Sequence, residues 1–352
     1  MNAPVCMAVR LPSVVSVPAP SGALGRALRL GTYVVAALAL LQFVRSVDLA
    51  GVGALLGAVG PFAPLALLPF ALQMILESGS WRLLLARLGH PVKWRTSLRV
   101  TLGADAIRMS LPGGTAIADG LRPVLFRRHG GVPLSDGTSA LVVRKLCHLG
   151  SQGVYLALGA ALGAALLERW ATQMGELGRF LPAASFALAA ALTAGAVLLG
   201  LMLFHGSLAS RAERFLTRLT RGRLSSFLEV RRASYGTLDA RLRMLLGHRS
   251  AAIPWNAATA LAGWLLEALE TFLILWLLRA PLGWGEALAL EASVSVIRAL
   301  AFAVPGGLGV QDLSYHAGLQ MAVGEPAAVS FVLLKRARDV FWIVTGLLLK
   351  PV

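Results

Sequence analysis

Arg108, Asp119, Arg144, Lys145, His148, Glu267, Glu270, Glu291, Arg298, Asp312, Lys335, Arg336, Arg338 and Asp339 all lie inside or at the edge of long runs of Leu, Ala, Val and Gly. An Asp, Lys or Arg at the centre of a helix in hydrocarbon costs roughly 2.5 to 3.5 kcal/mol. So many charges cannot face acyl chains unpaired, and they must line an interior. Two chemistries satisfy that demand. One is structural pairing, for example Asp312 with Arg336 and Asp119 with Arg144, pinning neighbouring helices. The other is a polar groove through which a lipid headgroup passes. In that second reading Arg122, Arg144, Lys145, Arg298, Lys335 and Arg336 hold an anionic headgroup, Arg as a bidentate donor and Lys as a point charge. Asp119, Asp312, Glu267 and Glu270 then gate the path or carry protons. Glu267 and Glu270 stand one helical turn apart on one face, where they could accept a proton or a cationic group, or pair with Arg298.

Two of these carboxylates end the same motif. Pro-Gly-Gly, then four residues, then Asp occurs at Pro112, Gly113, Gly114 and Asp119, and again at Pro305, Gly306, Gly307 and Asp312. A proline can stop one half-helix, and the glycines allow a tight turn with close backbone approach. The residues that follow can start a second half-helix whose N-terminal N–H groups favour an anion. Close packing of kinked helices would use the same residues.

The elements that position these groups must be membrane helices. The residues are 57% hydrophobic and 14% charged, and the apolar blocks approach the ~20 residues that cross a ~30 Å hydrocarbon layer. An all-α, polytopic membrane protein is expected, with about six spanning helices near 30–47, 62–80, 138–160, 183–205, 252–279 and 326–349. The stretches 94–120 and 286–312, which hold the interruptions, are expected to be re-entrant helical hairpins. Residues 1–27 read as a loose tail without a secretory signal, 28–205 as membrane region with a first repeat over 62–160, 206–250 as a basic amphipathic loop, and 251–352 as the second repeat.

The net charge of +16 is mostly arginine, since Lys93, Lys145, Lys335 and Lys350 are the only lysines. Basic residues flank the first span, follow the second, precede the third and fill 207–249, which places those segments and both termini in the cytoplasm. In the 207–249 loop Phe215, Leu216, Leu219, Leu238, Leu242, Leu245 and Leu246 recur at helical spacing between arginines. Amphipathic helices lying on anionic lipid are the expected reading, with docking of partner enzymes as an alternative and no nucleic-acid role. Cys6 and Cys147 form no disulfide framework.

The motif is part of a longer internal match. Glu77 and Glu270, Trp94 and Trp284, the two Pro-Gly-Gly turns, and the basic pairs Arg144–Lys145 and Lys335–Arg336 correspond at offsets of 190 to 193 residues. Four matches in order point to duplication. With the charge-derived topology the first hairpin opens to the cytoplasm and the second to the exterior, so the repeats are inverted. That architecture lets one central site face either side in turn.

No His pair has metal-ligand spacing, and no phosphate-binding loop, dinucleotide fingerprint or nucleophile elbow occurs. Neither a metal, a cofactor nor an enzymatic activity is expected, and the sequence does not set an oligomeric state. "PGGLGVQD" followed by "LLKRARDVFWIVTGLLL", together with "LPGGTAIADGLRPVLFRRHGG", resembles the transmembrane-region family of lysylphosphatidylglycerol synthases, the flippase-like integral membrane proteins. Residues 263–312 look most like its hopanoid-biosynthesis-associated branch. Members of that family usually carry Glu where this chain has Asp119 and Asp312. The resemblance implies a lipid translocator of the bacterial inner membrane, acting on an anionic phospholipid, a polyprenyl lipid or a hopanoid-type lipid. It implies the membrane half without the aminoacyl transferase domain. The rivals are a non-transporting scaffold for lipid-modifying enzymes and, third, a membrane enzyme using intramembrane acids.

Overall fold

The computed structural model describes residues 49–111, 113–173, 180–204, 240–242, 244–245, 251–280, 282–300 and 309–349. The expected first span, most of the basic loop, and Pro112, Pro305, Gly306 and Gly307 lie outside the described residues. Every described element is helical. In order they are α1 (Leu49–Val59), a 3-10 stretch (Gly60–Leu67), α2 (Leu68–Arg87), α3 (Trp94–Ser110), α4 (Gly114–Gly130) and α5 (Leu134–Leu162). Next come α6 (Ala164–Gln173), α7 (Leu181–Phe204), α8 (Ala252–Leu277), α9 (Trp284–Leu300), α10 (Val310–Val323) and α11 (Glu325–Leu348). The 3-10 stretch coincides with Pro61 and Pro64, which cannot donate to a regular α ladder.

Three described helices are long and apolar enough to cross a bilayer, within Leu56–Arg87, Pro182–Met202 and Ala252–Leu277. The bent pair α5–α6, broken by 77°, makes a fourth if it counts as one span. That is fewer than the six expected from sequence. The first of the six is undescribed; α11, at 24 residues, is long enough but carries Lys335, Arg336, Arg338 and Asp339 near its middle.

Both interrupted stretches form paired helices, but the second limbs run further than expected. α4 continues to Gly130 instead of ending near 120, and α10 continues to Val323 instead of 312. At 14 to 17 residues, α3, α4, α9 and α10 are each about 21 to 26 Å long, less than the ~30 Å hydrocarbon thickness. The first turn is made by glycine for two separate reasons. Gly113 has φ 63°, in the left-handed region. A Cβ on Gly114 would collide with the Arg108 carbonyl.

The same closure ends α2 and α8. His90 N–H donates to Leu85 O at 2.9 Å and Ala280 N–H to Leu275 O at 2.9 Å, 190 residues on. Gly89 takes the left-handed position in the first (φ 87°) and Arg279 in the second (φ 55°).

The core divides with the chain. Trp81, Leu84, Leu85, Phe126 and Val143 pack in one cluster, and Ile274, Leu290, Tyr315 and Phe331 in another. Tyr155, Trp264 and Leu288 form a third between α5, α8 and α9. Small residues bring the helices close: a Cβ at Gly159 would press on Ala292, and one at Gly163 on Ala289. Leu242 and Leu245 of the basic loop are buried in the first cluster. These two therefore face protein, not lipid as their amphipathic spacing implied. Beside them Asp136, 1% exposed, accepts from His90 Nε2 at 2.8 Å and pairs with Arg241 Nε at 3.1 Å.

Candidate functional site: two clusters of buried ion pairs

The first cluster is built around an arginine. α2 contributes Glu77, α3 Asp105 and Arg108, α4 Asp119 and Arg122, and α5 Arg144 and Lys145. Arg122 is 7% exposed and bridges three carboxylates: Nη2 lies 2.9 Å from Asp105 and 3.2 Å from Glu77, and Nη1 lies 2.9 Å from Asp119. Pro123, next in α4, has no N–H to donate to the Asp119 carbonyl. Arg144 reaches Glu77 at 3.1 Å and lies over the Trp81 ring. Lys145 pairs with Asp119 at 2.6 Å. Arg108 grips Asp105 with two bonds of 2.9 and 3.1 Å.

The second cluster is built around a carboxylate. Glu291 on α9 is fully buried. It accepts from Thr271 at 2.6 Å, from the Tyr315 hydroxyl at 2.6 and 2.8 Å, and from Lys335 at 2.8 Å. Lys335 also donates to Thr271 at 3.0 Å and sits over the Tyr315 ring. Glu270 is held by Arg338 through two nitrogens of one guanidinium, with Lys335 at 3.8 Å. Arg336 binds Asp312 at 2.7 Å and Asp339 at 3.0 Å. Asp312 has a second duty, because its other oxygen accepts from Gly309 N–H at 2.9 Å and caps α10. Arg298 binds Glu267 at 2.6 Å, and Gln73 of α2 donates to the same carboxylate at 3.3 Å. Arg108 of the first cluster lies within electrostatic range of Glu267 and Arg298, so the clusters adjoin.

The sequence-derived headgroup residues are thus all drawn into ion pairs with the chain's own carboxylates. Arg122, Arg144 and Lys145 come together in one cluster and Arg298, Lys335 and Arg336 in the other. Of the gating candidates, Asp119 joins the first; Asp312, Glu267 and Glu270 join the second. The Asp312–Arg336 pair forms as expected. Asp119 pairs with Lys145 and Arg122 rather than with Arg144, which turns to Glu77. Adjacent helical residues point about 100° apart, so a shift of one residue decides which carboxylate each cation meets.

The pairing recurs along the chain. Glu77–Arg144 matches Glu270–Lys335, and Asp119–Lys145 matches Asp312–Arg336, at the offsets of 193 and 191 residues seen in the sequence. The centres do not match. At the same 193-residue offset Tyr315 stands where Arg122 would be, and Arg298 where Asp105 would be. Sequence reasoning missed Asp105, Tyr315 and Thr271. Asp105 was detectable as a charge in an apolar run, one turn before Arg108.

A family model described as the lysylphosphatidylglycerol synthase TM region matches residues 28–347. The chain belongs to this family. No curated protein and no solved structure matches it significantly. Both ion-pair clusters fall inside the matched range, so they are features of this lysylphosphatidylglycerol synthase TM region and not of an appended segment. With its apolar spans, the family member is a multi-pass membrane protein. Ion pairs of such a chain must find their partners within it wherever they lie in hydrocarbon. Among the described residues, no group of three or more His, Cys, Asp and Glu side chains is arranged to hold a metal ion.

Proposed function

We propose that this protein is a flippase-like translocator of an anionic lipid in the bacterial inner membrane, belonging to the hopanoid-associated branch of its family and carrying out no chemical step. The observation that supports it most is the graded exposure of the ionic clusters. Lys145 is 45% exposed, Arg108 29% and Arg298 26%, whereas Glu291, Glu270, Lys335 and Arg122 are nearly inaccessible. Accessible cations from α3, α5 and α9 border a deeper ionic core, an arrangement able to accept a phosphate at the rim.

Charge balance then dictates how an anion could pass. The cations Arg108, Arg122, Arg144, Lys145, Arg298, Lys335, Arg336 and Arg338 are equal in number to the carboxylates Glu77, Asp105, Asp119, Glu267, Glu270, Glu291, Asp312 and Asp339. An entering phosphate must displace an internal carboxylate from its cation. The displaced group, Asp119 beside Lys145 or Asp312 beside Arg336, keeps a second donor, Arg122 for Asp119 and the Gly309 N–H for Asp312. The short paired limbs and the recurring ion pairs support re-entrant hairpins in a repeat, and the basic flanks of the spans support its inversion with both termini cytoplasmic. Alternating access between the hairpins would carry the headgroup across while its chains remain in lipid.

A second reading has its own support: Lys335 and Arg338 are committed to internal partners, as in a rigid scaffold for lipid-modifying enzymes. One experiment separates the two. In liposomes containing the full chain, fluorescent headgroup-labelled phosphatidylglycerol should equilibrate across the bilayer faster than in empty liposomes. Lys145→Gln and Arg298→Gln should slow it at least tenfold with folding intact. Equal rates in empty, wild-type and variant liposomes would leave the scaffold reading standing.

A further inference from the structure

A second lipid-facing site lies away from the ionic clusters, where α2 ends and α8 begins. A groove of about 730 Å³ is lined there by Gly79, Arg82 and Ala86 of α2 and by Pro254, Trp255 and Ala258 of α8. Ser80 fixes the two helices side by side, bonding Asn256 at 2.7 Å and Thr259 at 2.8 Å. The groove therefore opens at the ends of two spanning helices, the depth at which a bilayer passes from acyl chains to headgroups.

Its lining combines one cation with apolar walls. The cation is Arg82, whose Nε donates to Val92 O at 3.0 Å and whose guanidinium lies 5.1 Å from the Trp94 ring centre. This anchors the cation beside the groove while only one of its nitrogens is used by Val92. No carboxylate pairs with Arg82 among the described residues, and the segment 78–104 contains Arg82, Arg87, Lys93, Arg95 and Arg99 with no Asp or Glu. Two tryptophans flank the mouth: Trp255 is 51% exposed and Trp94 36%. Indoles with an apolar body and one N–H settle at the headgroup boundary. The groove's other wall residues are glycine, alanine, leucine and proline. Ala258 also borders a second apolar groove, of about 870 Å³, between α5, α7 and α8.

We infer that this groove docks a glycerophospholipid of the leaflet in which α2 ends, its phosphodiester on Arg82 and one acyl chain between α2 and α8. An uncharged apolar occupant would leave Arg82 without complement; a soluble phosphate would leave the apolar walls uncovered. The site is distinct from the ionic clusters and stands whether or not the protein moves lipid.

The test uses the full chain in nanodiscs. Dioleoyl phosphatidylglycerol with a photoreactive diazirine on one chain should label peptides spanning 79–86 and 251–258. Arg82→Gln should reduce labelling about fivefold, the scale of losing one lipid-facing cation. Ala258→Trp, which fills the groove while keeping Arg82, should abolish it. Diazirine-bearing dioleoylglycerol, with the same chains and no phosphate, should label these peptides at least fivefold less. Millimolar sn-glycerol 3-phosphate should not compete. Equal labelling by the neutral lipid, competition by the soluble phosphate, or indifference to both substitutions would each overturn the assignment.

Discussion

Replacing Lys335 by Met removes one buried charge and leaves side-chain volume nearly unchanged. Glu291 is fully buried and, among the described residues, takes its only full positive charge within 3 Å from Lys335, at 2.8 Å; its other donors there are the neutral Thr271 and Tyr315 hydroxyls. Arg298 lies 3.9 Å away and is committed to Glu267 at 2.6 Å. Glu270 keeps Arg338 but loses Lys335 at 3.8 Å. Removing one partner of such a buried pair costs about 3 to 5 kcal/mol, a shift of a hundredfold or more in the folded-to-unfolded ratio. Lys335→Met with Glu291→Gln removes both charges and keeps both hydroxyl partners, so the double variant should recover most of that loss. Reversible unfolding in mixed micelles, followed by tryptophan fluorescence, yields the three differences and their coupling energy. As a control, Lys145→Met breaks a pair whose cation is 45% exposed and should cost about 1 kcal/mol or less. If Lys335→Met and Glu291→Gln prove additive, or Lys335→Met costs no more than Lys145→Met, the Glu291–Lys335 pair does not hold this half of the molecule together.

Three further outcomes follow from single positions. Arg279 closes α8 with φ 55° where Gly89 closes α2, so Arg279→Gly should raise stability by about 1 kcal/mol in the same unfolding assay; a loss would mean that the arginine side chain matters more than its backbone. Gly114→Ala should destabilise by about 1 to 3 kcal/mol because its Cβ meets the Arg108 carbonyl, whereas Gly120→Ala, with nothing within 4 Å, should be neutral or stabilising. Asp136→Asn weakens the anchor shared by His90 and Arg241, and trypsin should then cut at Arg241 several-fold faster; unchanged cleavage would show that Leu242 and Leu245 alone hold that segment.

The helical membrane architecture was legible because it depends on long apolar runs, and α5, α7, α8 and α11 fall within a few residues of the expected positions. The site residues were legible for the complementary reason: a charge inside such a run has to be explained. Partner choice was not. Asp119 meets Lys145 instead of Arg144 because of helix rotation, which no residue type announces. Neutral contributors were hidden too, since Thr271 and Tyr315 are ordinary helix residues until Glu291 is seen between them. Leu242 and Leu245 show the same limit from the apolar side, as helical spacing reveals a buried face without saying whether lipid or protein buries it.

The two clusters are built to opposite designs, and their exposure divides them again by duty. Arg122 gathers three carboxylates and Glu291 three donors, and both are shut away from solvent. Opening either core would strand several charges at once, each costly in hydrocarbon, so these centres are suited to stay fixed while other parts move. The rim is different: among the described residues Lys145 has one ion-pair partner, Asp119, and Asp119 retains Arg122 if Lys145 leaves. Exchanging that one contact for a phosphate strands nothing. Transport and stability should therefore separate by residue, with Lys145→Gln slowing lipid movement in a fully stable protein and Lys335→Met weakening the fold. If both effects fall on the same residue, the clusters do not divide into a fixed core and an exchangeable rim.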